Sequence, residues 1–175
     1  MSTDFIALFD VSSEIVKAEW LLAHLTANPG FAASVVDLYG DYWQPKAWAI
    51  ETSPATGLSE VLGPGGFSIR VKPRTIELYH MMPFHTFTGD LARRGDLRLA
   101  CLWIADIVGS ARAIYTHELM PYDGEGLDQI ECDLRKHIGP PAATYDELHH
   151  ADYFGTRAWY IDTFADLRSS RLLDA

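Results

Sequence analysis

Hydrophobic and polar positions along this chain change their period several times, and each change marks a predicted boundary between elements. Residues Phe5 to Phe9 are apolar throughout, which predicts a short buried strand. From about Ser13 to Ala27 apolar side chains recur every three to four positions, which predicts a helix with Asp10 among its candidate N-caps. The sequence Asn28-Pro29-Gly30 is expected to stop that helix.

The middle of the chain has patterns typical of strands and loops. The aromatic-rich stretch from Ala33 to Thr52 predicts two strands with a turn near Pro45. Residues Ser53 to Gly66 are rich in Pro and Gly, which predicts a loop with one helical turn at most, around Leu58 to Leu62. Residues 67–80 alternate between apolar and polar side chains on both sides of a Pro-Arg pair, which predicts a hairpin.

The remainder of the chain has mainly helical periodicity. An apolar stripe from Asp96 to Leu119 predicts the longest helix, with apolar side chains on two faces. A second stripe, from Leu127 to Ile138, predicts another helix. Thr144 and Glu147 have the spacing of a capping box, which predicts a short helix. Residues Trp159 to Phe164 predict a late strand, followed by a polar tail.

The order of these elements indicates the fold class. A strand and a helix are followed by several strands, three helices and a last strand, which is typical of an α+β fold rather than an alternating parallel sheet. The chain has 175 residues and is 48% hydrophobic, enough for one sizeable core. We therefore expect one α+β domain over residues 1–175, with a mostly antiparallel sheet of five to six strands.

The charge balance indicates which classes of partner to expect. The chain has 24 Asp and Glu residues against 14 Lys and Arg, a formal net charge of −10. Phosphate backbones are bound through Lys and Arg, so nucleic acid is not an expected partner and a basic protein is. The start of the chain lacks the pattern of a signal peptide, and no apolar stretch is long enough for a membrane span, so we expect a cytoplasmic protein without a membrane partner.

The cysteines and histidines give only weak support for a catalytic or metal-binding site. Cys101 and Cys132 lie in helical patterns beside apolar residues, where a free thiol is usually inert. No nucleophile or phosphate-binding motif is present, and we expect no cofactor. A metal site is not expected either; the weak alternative combines His117 with His149 and Asp152, which are three positions apart.

Asp106 lies within the most apolar predicted helix. An unpaired carboxylate there would be costly to bury, so we expect an ion pair. The candidate partners are Arg98, Arg112 and Arg70.

Aromatic side chains interleaved with carboxylates mark the predicted docking surface. Tyr and Trp bury much area with few torsions, and carboxylates attract a basic partner. For Trp43 and Trp48, packing in the core is the competing interpretation. The predicted partner-binding residues are Asp37, Tyr39, Asp41, Tyr42, Trp43, Trp48, Tyr122, Asp123 and Glu125.

The sequence therefore predicts a non-enzymatic acidic protein that binds and neutralises a basic partner, such as a toxin, in the manner of immunity proteins and antitoxins. This function is an analogy from composition. One alternative is an assembly or scaffold subunit, for instance a homodimer. The other is a small hydrolase, metal-dependent in one version, whose acid and base groups would come from His80, His85, His117, Glu118, His149, His150 and Asp152.

Overall fold

The computed structural model describes most of the chain, namely residues 4–11, 16–36, 48–54, 57–63, 66–84, 89–117, 126–150 and 158–173. In these residues an antiparallel sheet of seven strands packs against helices on both of its faces. The α+β prediction is confirmed, and the sheet has seven strands instead of five to six.

The strands follow one another in the sheet in the order β2-β3-β4-β5-β1-β6-β7. Their bounds are Asp4–Asp10 (β1), Ala49–Thr52 (β2), Ser59–Leu62 (β3), Phe67–Val71 (β4), Thr75–Pro83 (β5), Ala113–His117 (β6) and Tyr160–Asp162 (β7). The helices are Ala18–Ala27 (α1), Pro29–Val36 (α2), Leu91–Val108 (α3), Leu127–His137 (α4) and Ala165–Leu173 (α5), with a 3-10 turn at Glu147–His150.

The predicted first strand, β1, lies at the centre of the sheet between β5 and β6. Successive side chains of a strand point to opposite faces. Phe5, Ala7 and Phe9 belong to the larger core, which α1, α2 and α3 cover. Ile6 and Leu8 belong to a second core beneath α4. Because both faces of β1 are covered, its sequence is a continuous apolar run.

The stretch after α1 corrects one prediction. Asn28 ends α1, but its Oδ1 also accepts a hydrogen bond from Phe31 N at 3.0 Å, as the cap of a second helix. The predicted stop is confirmed, because α1 ends at Ala27, but Pro29 is also the first residue of α2, a position that proline favours because no backbone N–H is needed there. The strand predicted from Ala33 is wrong as far as Val36.

The predicted loop at residues 53–66 contains a strand. Ser59–Leu62 forms β3, which pairs with β2, so the helical turn expected there is wrong. Gly57 has a φ of 69° in the connection, a left-handed conformation that glycine adopts without strain. The second half of the strand pair predicted over residues 33–52 is confirmed by β2, and the hairpin over residues 67–80 by β4 and β5.

The longest predicted helix corresponds to a helix, α3, and a strand, β6, in the structure. α3 begins at Leu91, where Asp90 Oδ1 accepts from Arg93 N at 3.2 Å, and it ends at Gly109, whose φ is 73°. Residues Ala113–His117 form β6 instead of the last turns of the helix. Apolar side chains continue through both elements, which concealed the break.

The last part of the chain agrees in part with the prediction. α4 matches the second helical stripe. One half of the predicted capping box forms, since Thr144 Oγ1 accepts from Glu147 N at 3.1 Å, whereas the Glu147 carboxylate accepts from Ala143 N at 3.0 Å, and the element that follows is the 3-10 turn. The late strand is confirmed as the shorter β7, whereas the predicted polar tail forms α5. Asp10, expected to cap the helix after β1, accepts instead from Leu127 N at 3.1 Å, at the start of α4.

No helix in the described part of the chain is long and apolar enough to cross a membrane.

Candidate functional site

Most of the predicted docking residues lie outside the described part of the chain. This holds for all of them except Trp48, namely Asp37, Tyr39, Asp41, Tyr42, Trp43, Tyr122, Asp123 and Glu125. The Trp48 ring packs on the larger core, 5.8 Å from the ring of Phe31. A Cβ on Gly63 would lie 2.4 Å from Trp48 Cζ3, so glycine leaves room for this ring. The described contacts of Trp48 are with the core, and its role in docking stays a prediction.

Of the three predicted metal ligands, only His117 has a side chain that the structure describes. His117 is buried at the end of β6. Asp152 and the side chain of His149 lie outside the description. Where the structure describes the chain, no group of three or more His, Cys, Asp and Glu side chains could hold a metal ion.

Two histidines of the hydrolase alternative lie in one row of the sheet, with a phenylalanine between them. His80 and His117 flank Phe5 in a row across β5, β1 and β6, and both are buried. Phe67 meets His80 edge-on at 4.6 Å, and the ring of Phe84 lies 5.2 Å from that of His117. Burial lowers the pKa of His80 to about 4, so this imidazole is neutral at pH 7.

A cavity of about 500 Å³ lies at the start of α1. Its lining consists of residues 16–19, 57–59 and 71–73. Its volume is in the range of small-molecule sites, but no histidine is among its lining residues. This cavity therefore does not give access to His80 or His117.

Asp106 forms an ion pair, as expected, but with a different arginine. Its Oδ1 lies 2.9 Å from Arg168 Nη2, on α5. The same guanidinium donates to the carbonyl oxygens of Ser110, Ala111 and Thr163. Arg168 therefore fastens α5 to the segment that follows α3, and the predicted partners Arg98, Arg112 and Arg70 pair with other carboxylates.

Charged and aromatic side chains gather around Arg98. Arg98 Nε and Nη2 donate to the two carboxylate oxygens of Asp162 at 2.7 and 3.0 Å. Nη1 and Nη2 donate to Asp166 at 2.7 Å each. We call the following residues the Arg98 cluster: Arg94, Arg98, Tyr115, Tyr145, Asp146, Tyr160, Asp162 and Asp166.

In the inner part of the Arg98 cluster, Arg98 and Asp162 are fully paired with one another and with neighbouring groups. Asp162 is 1% exposed, and besides Arg98 it accepts from Tyr115 Oη at 2.9 Å and from Phe164 N at 2.8 Å. Burial opposes the charge on Arg98, but the hydrogen bonds to Asp162 and Asp166 outweigh it and raise the Arg98 pKa. Burial raises the Tyr115 pKa, so the phenol stays protonated and continues to donate. This inner part holds the surface groups in place.

The outer part of the Arg98 cluster combines carboxylates with aromatic rings. Asp146 is 89% exposed and Asp166 is 65% exposed. Tyr145 and Tyr160 are half-buried, with ring centroids 5.7 Å apart. Hydrogen bonds from Arg98 lower the Asp166 pKa, so this carboxylate is charged at pH 7.

Arg94 joins the outer part of the cluster to α3. Its guanidinium and that of Arg98 lie over the Tyr145 ring, at 4.7 and 4.5 Å from the centroid. Arg94 Nη2 lies 3.3 Å from Asp146 Oδ1, and the Tyr145 hydroxyl donates to Arg94 O at 2.9 Å. Tyr145 and Asp146 are thus held against α3 by neighbouring turns of the same helix.

Burial keeps the thiol and the phenols in and beside the Arg98 cluster in their protonated forms. Cys101, beside the cluster, is buried, and burial raises its pKa, which disfavours the nucleophilic thiolate. Burial likewise raises the pKa of Tyr145 and of Tyr160, so neither phenol is a ready base. The exposed carboxylates and rings can receive a cationic side chain.

The sequence prediction missed this cluster. Its parts come from α3, β6, the residues just before the 3-10 turn, β7 and α5, and Arg98 and Asp162 are 64 residues apart. A local signal did exist, because Tyr145 precedes Asp146 directly and Tyr160 lies two positions before Asp162. The same combination of Tyr and Asp had singled out residues 37–43.

Comparisons with protein-family models, with curated proteins and with solved structures give no match to this chain.

Proposed function

We propose that this chain is a non-enzymatic acidic protein that binds a basic protein partner and neutralises it, in the manner of an immunity protein or antitoxin. The observation that carries the proposal is the outer part of the Arg98 cluster. There, two exposed carboxylates, Asp146 and Asp166, are fixed by arginines beside two half-buried tyrosines, Tyr145 and Tyr160.

The negative charge of the chain favours its encounter with a basic partner. With a net charge of −10, the chain attracts basic proteins over distances of about a Debye length, ~10 Å at 0.1 M salt. Asp146 and Asp166 give that attraction a local target that needs no rearrangement, because Arg94 and Arg98 already orient them. Such charges mainly raise the association rate.

The two tyrosines favour retention of the partner once it is bound. Tyr145 and Tyr160 expose part of each ring beside the carboxylates. A Lys or Arg of the partner can place its charge at Asp146 or Asp166 and its aliphatic stem on a tyrosine ring. Rigid aromatic anchors of this kind slow dissociation.

The experiment is affinity capture from native cell extract at low and at high salt, with the full chain as bait. The test variant is Asp146→Asn with Asp166→Asn. The control variant, Glu19→Gln with Asp133→Asn, also removes two negative charges, from an exposed position on α1 and a half-buried position on α4. We expect the wild type and the control to retain one basic protein that high salt releases, and the test variant to lose it.

Two results would contradict the proposal. One is equal capture by the test and control variants, which would mean that only the total charge matters. The other is that no basic protein is retained at either salt concentration. A chain that instead forms a stable oligomer of itself in size measurements, without a basic partner, would support the scaffold alternative.

A further inference from the structure

Among the strands that the structure describes, β2 lies at one edge of the sheet. Within the described residues β2 has one strand neighbour, β3, and three of its four residues are exposed. An edge strand presents backbone N–H and C=O groups on which an extended segment of another chain can pair.

The direction of these backbone groups follows from the hairpin that joins β2 to β3. Ser53 N donates to Leu58 O at 2.9 Å, so Ser53 points toward β3. Hydrogen-bonding direction alternates along an antiparallel strand. Glu51 and Ala49 therefore also point toward β3, whereas Ile50 and Thr52 direct their N–H and C=O groups to the outer edge.

The charges beside this edge indicate what would pair there. Glu51, Glu60, Arg70 and Glu77 lie side by side in one row across β2 to β5. Glu60 pairs with Arg70 at 3.1 Å, and Glu77 pairs with Lys72 at 2.5 Å. Glu51 lies opposite Glu60, and no arginine or lysine of the described residues forms an ion pair with it. Like charges directly opposite one another are unfavourable, and a cation beside Glu51 would relieve the repulsion.

We propose that the outer edge of β2 receives an extended segment of a basic protein as an eighth strand of the sheet, with a Lys or Arg of that segment beside Glu51. The basic character of the partner rests on the proposed function, but the site is separate from the Arg98 cluster. Backbone hydrogen bonds to Ile50 and Thr52 supply the pairing, and Glu51 selects the charge.

The test is a titration of the ¹⁵N-labelled full chain, followed by amide signals and hydrogen exchange. The probes are a hexapeptide that alternates Lys with Val and a matched hexapeptide that alternates Glu with Val. We expect the Lys peptide to shift the Ile50 and Thr52 amide signals and to slow their exchange by about tenfold or more at saturation. The Glu peptide should leave them unchanged.

Two variants test the backbone and the charge separately. Thr52→Pro removes an outward N–H while leaving the bonds to β3, a change that edge strands tolerate, and it should abolish the protection. Glu51→Lys should weaken binding of the Lys peptide roughly two- to fivefold and favour the Glu peptide. Glu19→Lys, the same charge change on α1, is the matched control and should preserve the preference; thermal unfolding verifies that each variant is folded.

The outcomes separate this inference from the proposed function. If the Lys peptide perturbs only the Arg98 cluster, the basic-partner proposal stands and strand addition at β2 is overturned. If Ile50 and Thr52 respond equally to both peptides, the charge selection is overturned. If the chain forms a dimer that Thr52→Pro dissociates, the occupant is a second copy and not a basic partner, which also overturns the inference.

Discussion

Acidification should destabilise this protein through the buried imidazole of His80. Burial holds the His80 pKa at about 4, against a usual value of 6.5. Between these two values the unfolded chain binds more protons than the folded chain, so stability rises with pH and is lost as the pH falls below 6.5. One pKa unit corresponds to about 1.4 kcal/mol, so the loss between pH 6.5 and pH 5 is about 2 kcal/mol.

The assay is urea unfolding of the wild type and of His80→Leu at several pH values between 7.5 and 5. Because both chains carry the same other titrating groups, the difference between their free energies of unfolding isolates His80. We expect the wild type to lose about 2 kcal/mol relative to the variant across this range. His24→Gln, on the exposed face of α1, is the control for loss of an imidazole. A difference that stays constant with pH would refute the argument.

Three further predictions concern stability and reactivity. Arg98→Ala leaves the carboxylate of Asp162 buried without its cation and should cost about 3–5 kcal/mol of unfolding free energy; a loss below about 1 kcal/mol would be no more than an exposed ion pair contributes. Asp10→Ala removes the cap of α4 and should cost about 1 kcal/mol, with Asp10→Asn costing less because it keeps an acceptor. A thiol reagent should modify Cys132 in the native protein and Cys101 only after unfolding, because Cys132 is exposed and Cys101 is buried; modification of both in the native protein would contradict the packing of α3.

Elements that follow from the spacing of apolar residues and from stop residues nearby were predicted from the sequence. β1 was predictable because an apolar run buried on both faces has a simple sequence, and α4 because one apolar stripe ends at a glycine. The break between α3 and β6 was not, since both elements bury apolar residues and Gly109 was the only strong stop between them. β3 was missed because its four residues lie in a segment rich in glycine and proline.

The candidate site was less predictable than the fold. An ion pair of Asp106 was expected from burial among apolar neighbours, but the side chain is 36% exposed, and which arginine pairs with it depends on where α5 packs. Asp10 was recognised as a cap, yet the helix it serves begins 117 residues later. Arg98 was predicted as a partner of Asp106 but pairs with Asp162, because the position of β7 beside β6 cannot be inferred from the three residues of β7.

The central place of β1 affects how the chain is synthesised. β1 leaves the ribosome before its two neighbours, which begin at Thr75 and Ala113. At about 5–20 residues per second, translation leaves this apolar segment without β6 for roughly 5–20 s. The meander from β2 to β5 can form from nearby residues in that time, whereas the pairings of β1 wait for distant ones. A nascent chain stalled before β6 would therefore expose one edge of its most apolar strand, where a chaperone or a misfolded neighbour could bind.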